Sequence, residues 1–173
     1  MSLIILDRDG VINHDSPDFI KSPAEWQPLP GSLKAIGRLT QAGHTMAIAT
    51  NQSGIGRGLY DLATLAAIHA KMLGLVKAHG GEIAVVCFCP HRPEDACLCR
   101  KPLPGLLEQI GQLLQADLNQ AIAVGDSLRD ITAAKAAGAT PIGVKTGNGL
   151  SLSKQFGLPL YDDLAAWVED FLR

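Results

Sequence analysis

The stretch LIILDRDGVIN, residues 3–13, decides the fold class, because a short apolar run ends there in two acidic residues and a glycine. An apolar run of this length is typical of a strand that is buried on both faces of a sheet. In an extended chain, side chains at i and i+2 point to the same side, so Asp7 and Asp9 can face one pocket while Arg8 points away. Gly10 then permits a turn that a side chain would obstruct.

Four more apolar runs follow, and they alternate with segments of helical periodicity. The predicted strands are residues 3–7, 45–50, 83–88, 121–126 and 141–146. The predicted helices are residues 31–43, 61–80, 104–116, 127–138 and 160–173. Strands that alternate with helices predict an α/β fold with a doubly wound parallel sheet of about five strands. Ligands of such sheets bind outside the carboxyl ends of the strands.

Length and composition limit the class of protein. The chain has 173 residues, 47% of them hydrophobic, so we expect a single domain over residues 1–173. A net charge of -2 without a long Lys/Arg run argues against nucleic acid as a partner. No apolar segment approaches the length of a signal sequence or a membrane span, which predicts a cytoplasmic protein without a membrane partner. A small molecule is the expected partner, and nothing in the sequence requires more than a monomer.

Polar residues collect directly after the predicted strands. Two carboxylates as close as Asp7 and Asp9 favour a divalent cation with oxygen ligands, and Mg²⁺ suits them, although an isolated D-x-D is commonly a polar turn. TNQSGIGRG, residues 50–58, can wrap phosphate oxygens with side-chain and backbone donors, although glycine-rich loops are often plain turns. In VGDSLRDI, Asp126 ends the fourth strand and Asp130 lies in the first turn of a helix, where simple capping is the alternative.

The order of these motifs resembles the haloacid dehalogenase superfamily of phosphotransferases. The match runs through the D-x-D-G of DRDG, the Thr of ATN, the Lys of CRKP and the acidic pair of GDSLRD. The resemblance implies that Asp7 is the nucleophile that becomes an aspartyl phosphate. It implies that Asp9 protonates the leaving alkoxide and later activates water, and that Thr50 and Lys101 bind the transferring phosphoryl group.

The same resemblance implies a magnesium site, and the length of the chain argues against a large cap domain. Mg²⁺ is expected on Asp7, on the backbone carbonyl of Asp9 and on Asp126, with Asp130 supporting these ligands. A chain of 173 residues has no room for the large cap that many superfamily members insert. We therefore expect an open pocket, walled by residues 13–30 and by the cysteine-rich loop.

All four cysteines lie in CFCPHRPEDACLCRKP, residues 87–102. Thiols in a reducing compartment are more often metal ligands or catalytic groups than disulfides. Four residues of this loop offer the ligands of a closed tetrahedral Cys₃His zinc site: Cys89, His91, Cys97 and Cys99. The spacing of these ligands is tighter than in zinc fingers. The alternative to a metal site is a set of buried thiols without a metal, and a bound metal can also be iron. Cys87 is expected in the core.

Within the superfamily, the cysteine-rich loop resembles that of the heptose-bisphosphate and histidinol-phosphate phosphatases, in which structural zinc orders a zinc-stabilised loop ending in Arg-Lys-Pro. This implies hydrolysis of the 7-phosphate of a heptose 1,7-bisphosphate, in the synthesis of ADP-heptose and lipopolysaccharide core precursors. Histidinol phosphate, in histidine biosynthesis, is the alternative substrate. The expected substrate-binding residues are Asn51, Gln52, Ser53, Arg57 and Arg100. Ser127 stands where related chains often carry Lys, so a charge contact from that position is missing.

Two other classes of function stay open. A receiver-like phosphoacceptor also has a doubly wound sheet, but its acceptor Asp belongs on a later strand without a companion such as Asp9. A non-catalytic, zinc-stabilised phosphate-binding module is the other. Four histidines lack metal-ligand spacing: His14, His44, His69 and His79. Structural roles are expected for His44 and His79, which lie near helix C-terminal ends, whereas His14 lies near the site in the sequence and could touch substrate.

Overall fold

The computed structural model describes residues 1–154 and 157–173. Its strands are β1 (Leu3–Leu6), β2 (Thr45–Asn51), β3 (Val85–Cys89), β4 (Ile122–Gly125), β5 (Thr140–Val144) and β6 (Leu160–Tyr161). Its α-helices are α1 (Ser32–Gln41), α2 (Leu62–Ala78), α3 (Gly105–Leu114), α4 (Leu128–Ala136) and α5 (Leu164–Phe171). The strands form one parallel sheet in the order β3-β2-β1-β4-β5-β6. The predicted doubly wound α/β fold is therefore confirmed.

The sheet has six strands where about five were predicted, because a short strand lies where the last helix was expected to begin. Leu160 and Tyr161 pair with Gly143 and Val144 of β5. The helix begins only after Asp163, whose carboxylate accepts a hydrogen bond from the backbone N–H of Ala166 at 2.8 Å. Such a cap interrupts an otherwise continuous apolar pattern, and the residues before it add an edge strand to the sheet.

Helices cover both faces of the sheet. Because side chains alternate along a strand, Ile4 and Leu6 pack on the face that carries α1, α2 and α5. Leu3 and Ile5 pack on the other face, against α3 and α4. Each face thus has its own apolar cluster, as the continuous apolar strands predict. The single domain predicted for residues 1–173 stays a prediction.

The topology places a crevice at the carboxyl end of β1. The chain passes from β1 to β2 on one side and later returns to β4 on the other side, which makes this end of the sheet a topological switch point. The backbone N–H of Asp7 donates to the carbonyl of Val124 at 3.0 Å, so the ends of β1 and β4 are held together. Loops that leave these two strands must meet at this edge.

The long connection between β1 and α1 forms a wall at the same edge. Trp26 in this segment is fully buried, and Lys71 of α2 donates to the carbonyls of Pro23 and Trp26, both at 2.7 Å. These contacts tie residues 13–30 to the body of the protein. Within the ranges that the structure describes, no helix is long and apolar enough to cross a membrane.

Candidate active site

Side chains that follow several strands meet in one cavity of about 290 Å³ at the carboxyl edge of the sheet. Every residue predicted for catalysis, substrate binding or Mg²⁺ lines it: Asp7, Asp9, Thr50, Asn51, Gln52, Ser53, Arg57, Arg100, Lys101, Asp126 and Asp130. Residues Asp15, Ser16, Phe19 and Ile20 line it as well. This confirms that the segment 13–30 lies over the site.

Lys101 is the buried cation at the floor of the cavity. Its ammonium lies 3.0 Å from Asp7 Oδ1 and 2.6 Å from Asp130 Oδ1, and it donates to the carbonyl of Ala49 at 2.8 Å. Burial by itself lowers the pKa of Lys101, but Asp130 and Asp7 outweigh it, and the pKa is raised. Lys101 is therefore charged and held against the proposed nucleophile.

Asp130 is held in place by donors on both of its oxygens. Oδ1 accepts from Lys101, and Oδ2 accepts from the backbone N–H of Ser127 at 3.0 Å and from its hydroxyl at 2.6 Å. Burial by itself raises the pKa of Asp130, but Lys101 and Ser127 lower it. Because its acceptor positions are used, Asp130 suits the supporting role better than that of a primary ligand.

Asp7, which is partly buried, and Asp126, which is buried, form an acidic pair with excess negative charge. Burial, then the charge of Asp130, raises the pKa of Asp7 well above its usual value, while Lys101 opposes the shift. Burial and Asp130 also raise the pKa of Asp126 to about 7. One carboxylate oxygen from each of Asp7, Asp126 and Asp130 lies within 4.8 Å of the other two. One ammonium does not balance them, and a hard divalent cation would, so the residues fit Mg²⁺.

Two backbone loops pack tightly around Asp126. Gly10 has φ +84°, and a Cβ built on it would lie 2.2 Å from Asp126 Oδ2. This confirms that the turn after Asp9 requires a glycine. The backbone N–H of Asn148 donates to the same oxygen at 2.8 Å. The turn and the loop after β5 therefore orient this carboxylate toward the cavity.

Asp9 accepts hydrogen bonds from three different side chains. Arg8 donates from Nε to Oδ1 at 2.9 Å and from Nη2 to Oδ2 at 3.2 Å. Asn13 Nδ2 donates to Oδ1 at 2.9 Å and Gln52 Nε2 donates to Oδ2 at 3.0 Å. Arg8 does not line the cavity, in agreement with the prediction that it points away. Its guanidinium nevertheless turns back to Asp9, a contact that alternation along a strand does not predict.

The loop after β2 uses several of its polar groups inside the protein. Gln52 Nε2 also donates to Thr50 Oγ1 at 2.9 Å, and Gln52 Oε1 accepts from the Tyr60 hydroxyl at 2.6 Å. Asn51 Nδ2 donates to the carbonyl of Lys101, and Asn51 Oδ1 accepts from the N–H of Lys101, both at 3.0 Å. Asn51 and Gln52 thus organise Lys101 and Asp9. Their direct contact with substrate stays a prediction.

Three arginines line the cavity: Arg57 and Arg129, which are exposed, and Arg100, which is partly buried. The guanidinium of Arg57 lies 5.6 Å from the centre of the Phe19 ring, and Arg100 and Arg129 lie nearby. Burial, followed by the charge of Arg129, lowers the pKa of Arg100, and Arg57 contributes to the same shift. Sequence reasoning missed Arg129. Its position could have indicated a role in the site, because Arg129 lies in the first turn of the helix after β4. It also lies two residues after Ser127, where related chains often carry Lys.

His44 and His79 each contact a backbone group of the protein. His44 Nδ1 lies 3.2 Å from the backbone nitrogen of Ser2, and His79 ends α2 with Nδ1 2.8 Å from the carbonyl of Leu75. His14 is exposed, and it is not among the residues that line the cavity. The structural roles predicted for His44 and His79 stay predictions.

The predicted metal ligands of the cysteine-rich loop form a separate cluster beside the cavity. The ligand atoms of Cys89, His91, Cys97 and Cys99 lie within 4.8 Å of one another. Both Cys89 Sγ and Cys99 Sγ lie 3.4 Å from His91 Nδ1, and Cys89 Sγ lies 3.6 Å from Cys97 Sγ. Zn–S bonds of about 2.3 Å separate tetrahedral sulfurs by about 3.8 Å. The donor set therefore fits zinc. Cys87 is buried in the core, as predicted.

The chain is similar to a known family and to proteins that carry names. The family described as haloacid dehalogenase-like hydrolase matches residues 12–138. The D-glycero-beta-D-manno-heptose-1,7-bisphosphate 7-phosphatase of Pseudomonas aeruginosa is 55% identical, over 99% of this chain and 98% of that protein. The protein of the same name from Bordetella bronchiseptica is 54% identical, over 100% of this chain and 99% of that protein.

Solved structures of related enzymes have the same fold. The crystal structure of D,D-heptose 1,7-bisphosphate phosphatase from B. bronchiseptica, complexed with magnesium and phosphate, superposes with a TM-score of 0.95. Its sequence is 55% identical, and the match covers 99% of this chain and 98% of that one. The corresponding phosphatase from Burkholderia thailandensis has a TM-score of 0.77, with 43% identity over 99% of both chains. The chain belongs to the haloacid dehalogenase-like hydrolase family.

Proposed function

We propose that this protein is a phosphomonoesterase that removes the 7-phosphate of D-glycero-D-manno-heptose 1,7-bisphosphate. The observation that carries the proposal is the single cavity in which Asp7, Asp9, Lys101 and Asp126 face three arginines. Relatives that match nearly the whole chain at 50–55% identity are named for this substrate. The reaction would supply the ADP-heptose and lipopolysaccharide core precursors that the family resemblance implies.

In the first step, a carboxylate oxygen of Asp7 attacks phosphorus and the bond from phosphorus to the C7 oxygen breaks. Asp9 gives its proton to the departing oxygen, which leaves as an alcohol. Lys101, 3.0 Å from Asp7, neutralises charge on the nucleophile and on the phosphoryl group, and the Thr50 hydroxyl binds a phosphoryl oxygen. In the second step, water attacks the aspartyl phosphate, and Asp9 takes a proton from it. Phosphate leaves, and Asp7 is regenerated.

Mg²⁺ would be held by Asp7, by the backbone carbonyl of Asp9 and by Asp126, with Asp130 behind them. When bound, it supplies positive charge that screens the carboxylates and aligns the phosphoryl oxygens. Burial and neighbouring carboxylates raise the pKa values of Asp7 and Asp126, and a divalent cation would favour the charged forms of both. Asp7 attacks as a carboxylate, and charge compensation keeps it in that form.

Zinc in the Cys₃His cluster would have a structural role. Cys99 directly precedes Arg100 and Lys101, so fixing this sulfur fixes the start of the segment that enters the cavity. Asn51 holds the other side of that segment through its two hydrogen bonds to Lys101. The metal and Asn51 together would hold the ammonium group of Lys101 in one position beside Asp7.

The second phosphate of the substrate would bind to the arginines. Arg57, Arg100 and Arg129 all line the cavity, and guanidinium groups bind phosphate through paired hydrogen bonds. Arg129 would supply the charge that is missing at Ser127. Histidinol phosphate carries an amine that is protonated at neutral pH, and the three arginines would repel it. The arginines thus favour the bisphosphate over this alternative.

All these residues belong to one chain, so we also propose that a monomer of a single domain is active. A compartment that keeps thiols reduced, such as the cytoplasm, would keep the cysteine ligands available for the metal.

The test is phosphate release, with Mg²⁺ present, from heptose 1,7-bisphosphate and from histidinol phosphate, with Asp7→Asn as the blank. We expect a strong preference for the bisphosphate that is lost in the variant. A preference for histidinol phosphate would keep the mechanism and overturn the substrate assignment. Release from neither compound would favour a non-catalytic phosphate-binding module.

A further inference from the structure

Arg8 is fully buried directly beside the catalytic pair, yet the two steps described above do not use it. Two of its nitrogens bind Asp9, and the third, Nη1, lies 3.2 Å from His69 Nε2 on α2. We infer that His69 is a positioning residue, which acts through Arg8 to hold the carboxylate of Asp9 in the orientation needed for proton transfer. This inference rests on the proposed function, because it assumes that Asp9 is the proton donor.

The direction of the contact follows from the chemistry of arginine. A guanidinium has only donors, so His69 Nε2 accepts and the ring carries its proton on Nδ1. Burial, then the charge of Arg8, lowers the pKa of His69 to about 4. The neutral ring at pH 7 is the form that can accept from Arg8. Phe88 packs against the same ring, with centroids 6.4 Å apart, and limits its rotation.

The carboxylate of Asp9 has little freedom while Arg8 stays in place. Oδ1 accepts from Arg8 and Asn13, and Oδ2 accepts from Arg8 and Gln52. The side chain of Asp9 is 21% exposed, whereas that of Arg8 is 0% exposed, so the protein holds the carboxylate from behind and leaves its front to the cavity. Gln52 Nε2 has a second acceptor in Thr50 Oγ1 and can release Oδ2 when that oxygen carries a proton.

Loss of the acceptor at position 69 would leave an N–H of Arg8 buried without a partner. An unsatisfied buried donor of a charged group is costly, so the guanidinium would shift toward other acceptors. The two hydrogen bonds from Arg8 to Asp9 would shift with it. The expected damage is therefore specific to the proton that Asp9 donates, and it should not extend to Asp7 or Lys101, which form their own ion pair.

The leaving group of the substrate separates this role from a purely structural one. kcat/KM covers the steps up to departure of the leaving group. A sugar alcohol needs a proton to depart, whereas p-nitrophenolate is a stable anion that does not. General acid catalysis contributes about 10²–10⁴ in rate, and a misplaced acid loses part of it. We expect His69→Leu to lower kcat/KM for heptose 1,7-bisphosphate at least about tenfold more than kcat/KM for p-nitrophenyl phosphate.

Three further variants complete the experiment. His69→Gln keeps a hydrogen-bond acceptor, so the ratio of its kcat/KM values for the two substrates should be close to that of the wild type. Val76→Ala, in the core two turns further along α2, should leave that ratio unchanged. Arg8→Lys keeps the positive charge but loses the paired N–H donors that bind Asp9. It should also lower kcat/KM mainly for heptose 1,7-bisphosphate, and this result can be obtained even if His69→Leu does not fold. Equal losses on both substrates in His69→Leu and Arg8→Lys would overturn the inference.

Asp9→Asn distinguishes failure of the inference from failure of the proposed function. This variant should itself lower kcat/KM for heptose 1,7-bisphosphate much more than kcat/KM for p-nitrophenyl phosphate. If it does so and Arg8→Lys and His69→Leu do not, Asp9 is the acid but His69 does not position it. If Asp9→Asn lowers kcat/KM equally for both substrates, Asp9 is not the leaving-group acid, and the proposed mechanism and the inference fall together.

Discussion

Asn51 and Lys101 are joined by two reciprocal hydrogen bonds of 3.0 Å, in which the side-chain amide of Asn51 pairs with both backbone groups of Lys101. The two residues are 50 positions apart in the chain. This contact connects the end of β2 to the loop that carries the cysteines. It places the backbone of Lys101 so that its ammonium reaches Asp7.

Replacement of Asn51 tests that connection. Asn51→Ala removes two hydrogen bonds, each worth about 0.5–1.5 kcal/mol, so it should lower the free energy of unfolding by about 1–3 kcal/mol. It should also lower kcat by about tenfold or more, because a misplaced ammonium stabilises the transition state less well. Denaturant unfolding and steady-state kinetics measure both effects. Asn119→Ala, an exposed amide bound to Asp117, is the control and should leave kcat unchanged.

Arg129 should contribute to binding of the phosphate that is not cleaved. Arg129→Gln should raise KM for heptose 1,7-bisphosphate about tenfold, which corresponds to about 1.4 kcal/mol, with little change in kcat. KM for a sugar monophosphate should change much less, because that substrate has no second phosphate. Arg38→Gln, on the exposed surface of α1, is the matched control. An equal effect on both substrates would place Arg129 at the reacting phosphate instead.

The Cys₃His cluster should hold one metal ion per chain. Cys97→Ser should reduce the zinc content measured by mass spectrometry of purified protein, and it should lower activity with Mg²⁺ in excess, since the loop before Lys101 loses its anchor. Cys87→Ala changes a thiol that the core buries outside the cluster, and should keep full zinc content. Full activity in a Cys97→Ser protein without zinc would contradict the structural role.

His69 should make stability depend on pH. Its pKa is about 4 in the folded protein and 6.5 in the unfolded chain, so the unfolded chain binds more protons between these values. The contribution of His69 to the free energy of unfolding is therefore fully present above pH 6.5. It falls by up to about 3 kcal/mol as the pH decreases toward 4. Denaturant titrations of the wild type and His69→Gln from pH 4 to 7.5 should show a steeper decline in the wild type. Parallel curves for the two proteins would contradict the assignment.

Local patterns in the sequence predict most of the elements. β1 through β5 coincide with the apolar runs to within two residues at either end, because strands buried on both faces require apolar side chains at every position. The strand β6 was not predictable in the same way, since its two residues are strand only through pairing with β5. The helix expected from residue 160 begins at Leu164, where the Asp163 cap provides the local reason.

In the candidate site, too, the sequence predicts some residues and not their partners. Residues predicted from motifs, such as Asp7, Asp9 and Lys101, follow strands, and the parallel order of the strands brings their ends to one edge. The partners of these residues come from distant parts of the chain. His69 reaches Arg8 across 61 positions, and Asn148 reaches Asp126 across 22. No local pattern marks a buried histidine as the acceptor of a particular arginine.

By itself the sequence determined the alternation of strands and helices, the acidic motif after β1 and the set of metal-binding side chains, because these depend on residue type and short spacing. Only the tertiary structure decided how each charged group is held. The pairing of Lys101 with Asp130, of Arg8 with His69 and of Arg129 with the cavity depends on which elements the sheet brings together. A hydrogen bond requires donor and acceptor within about 3 Å, a condition set by packing in three dimensions.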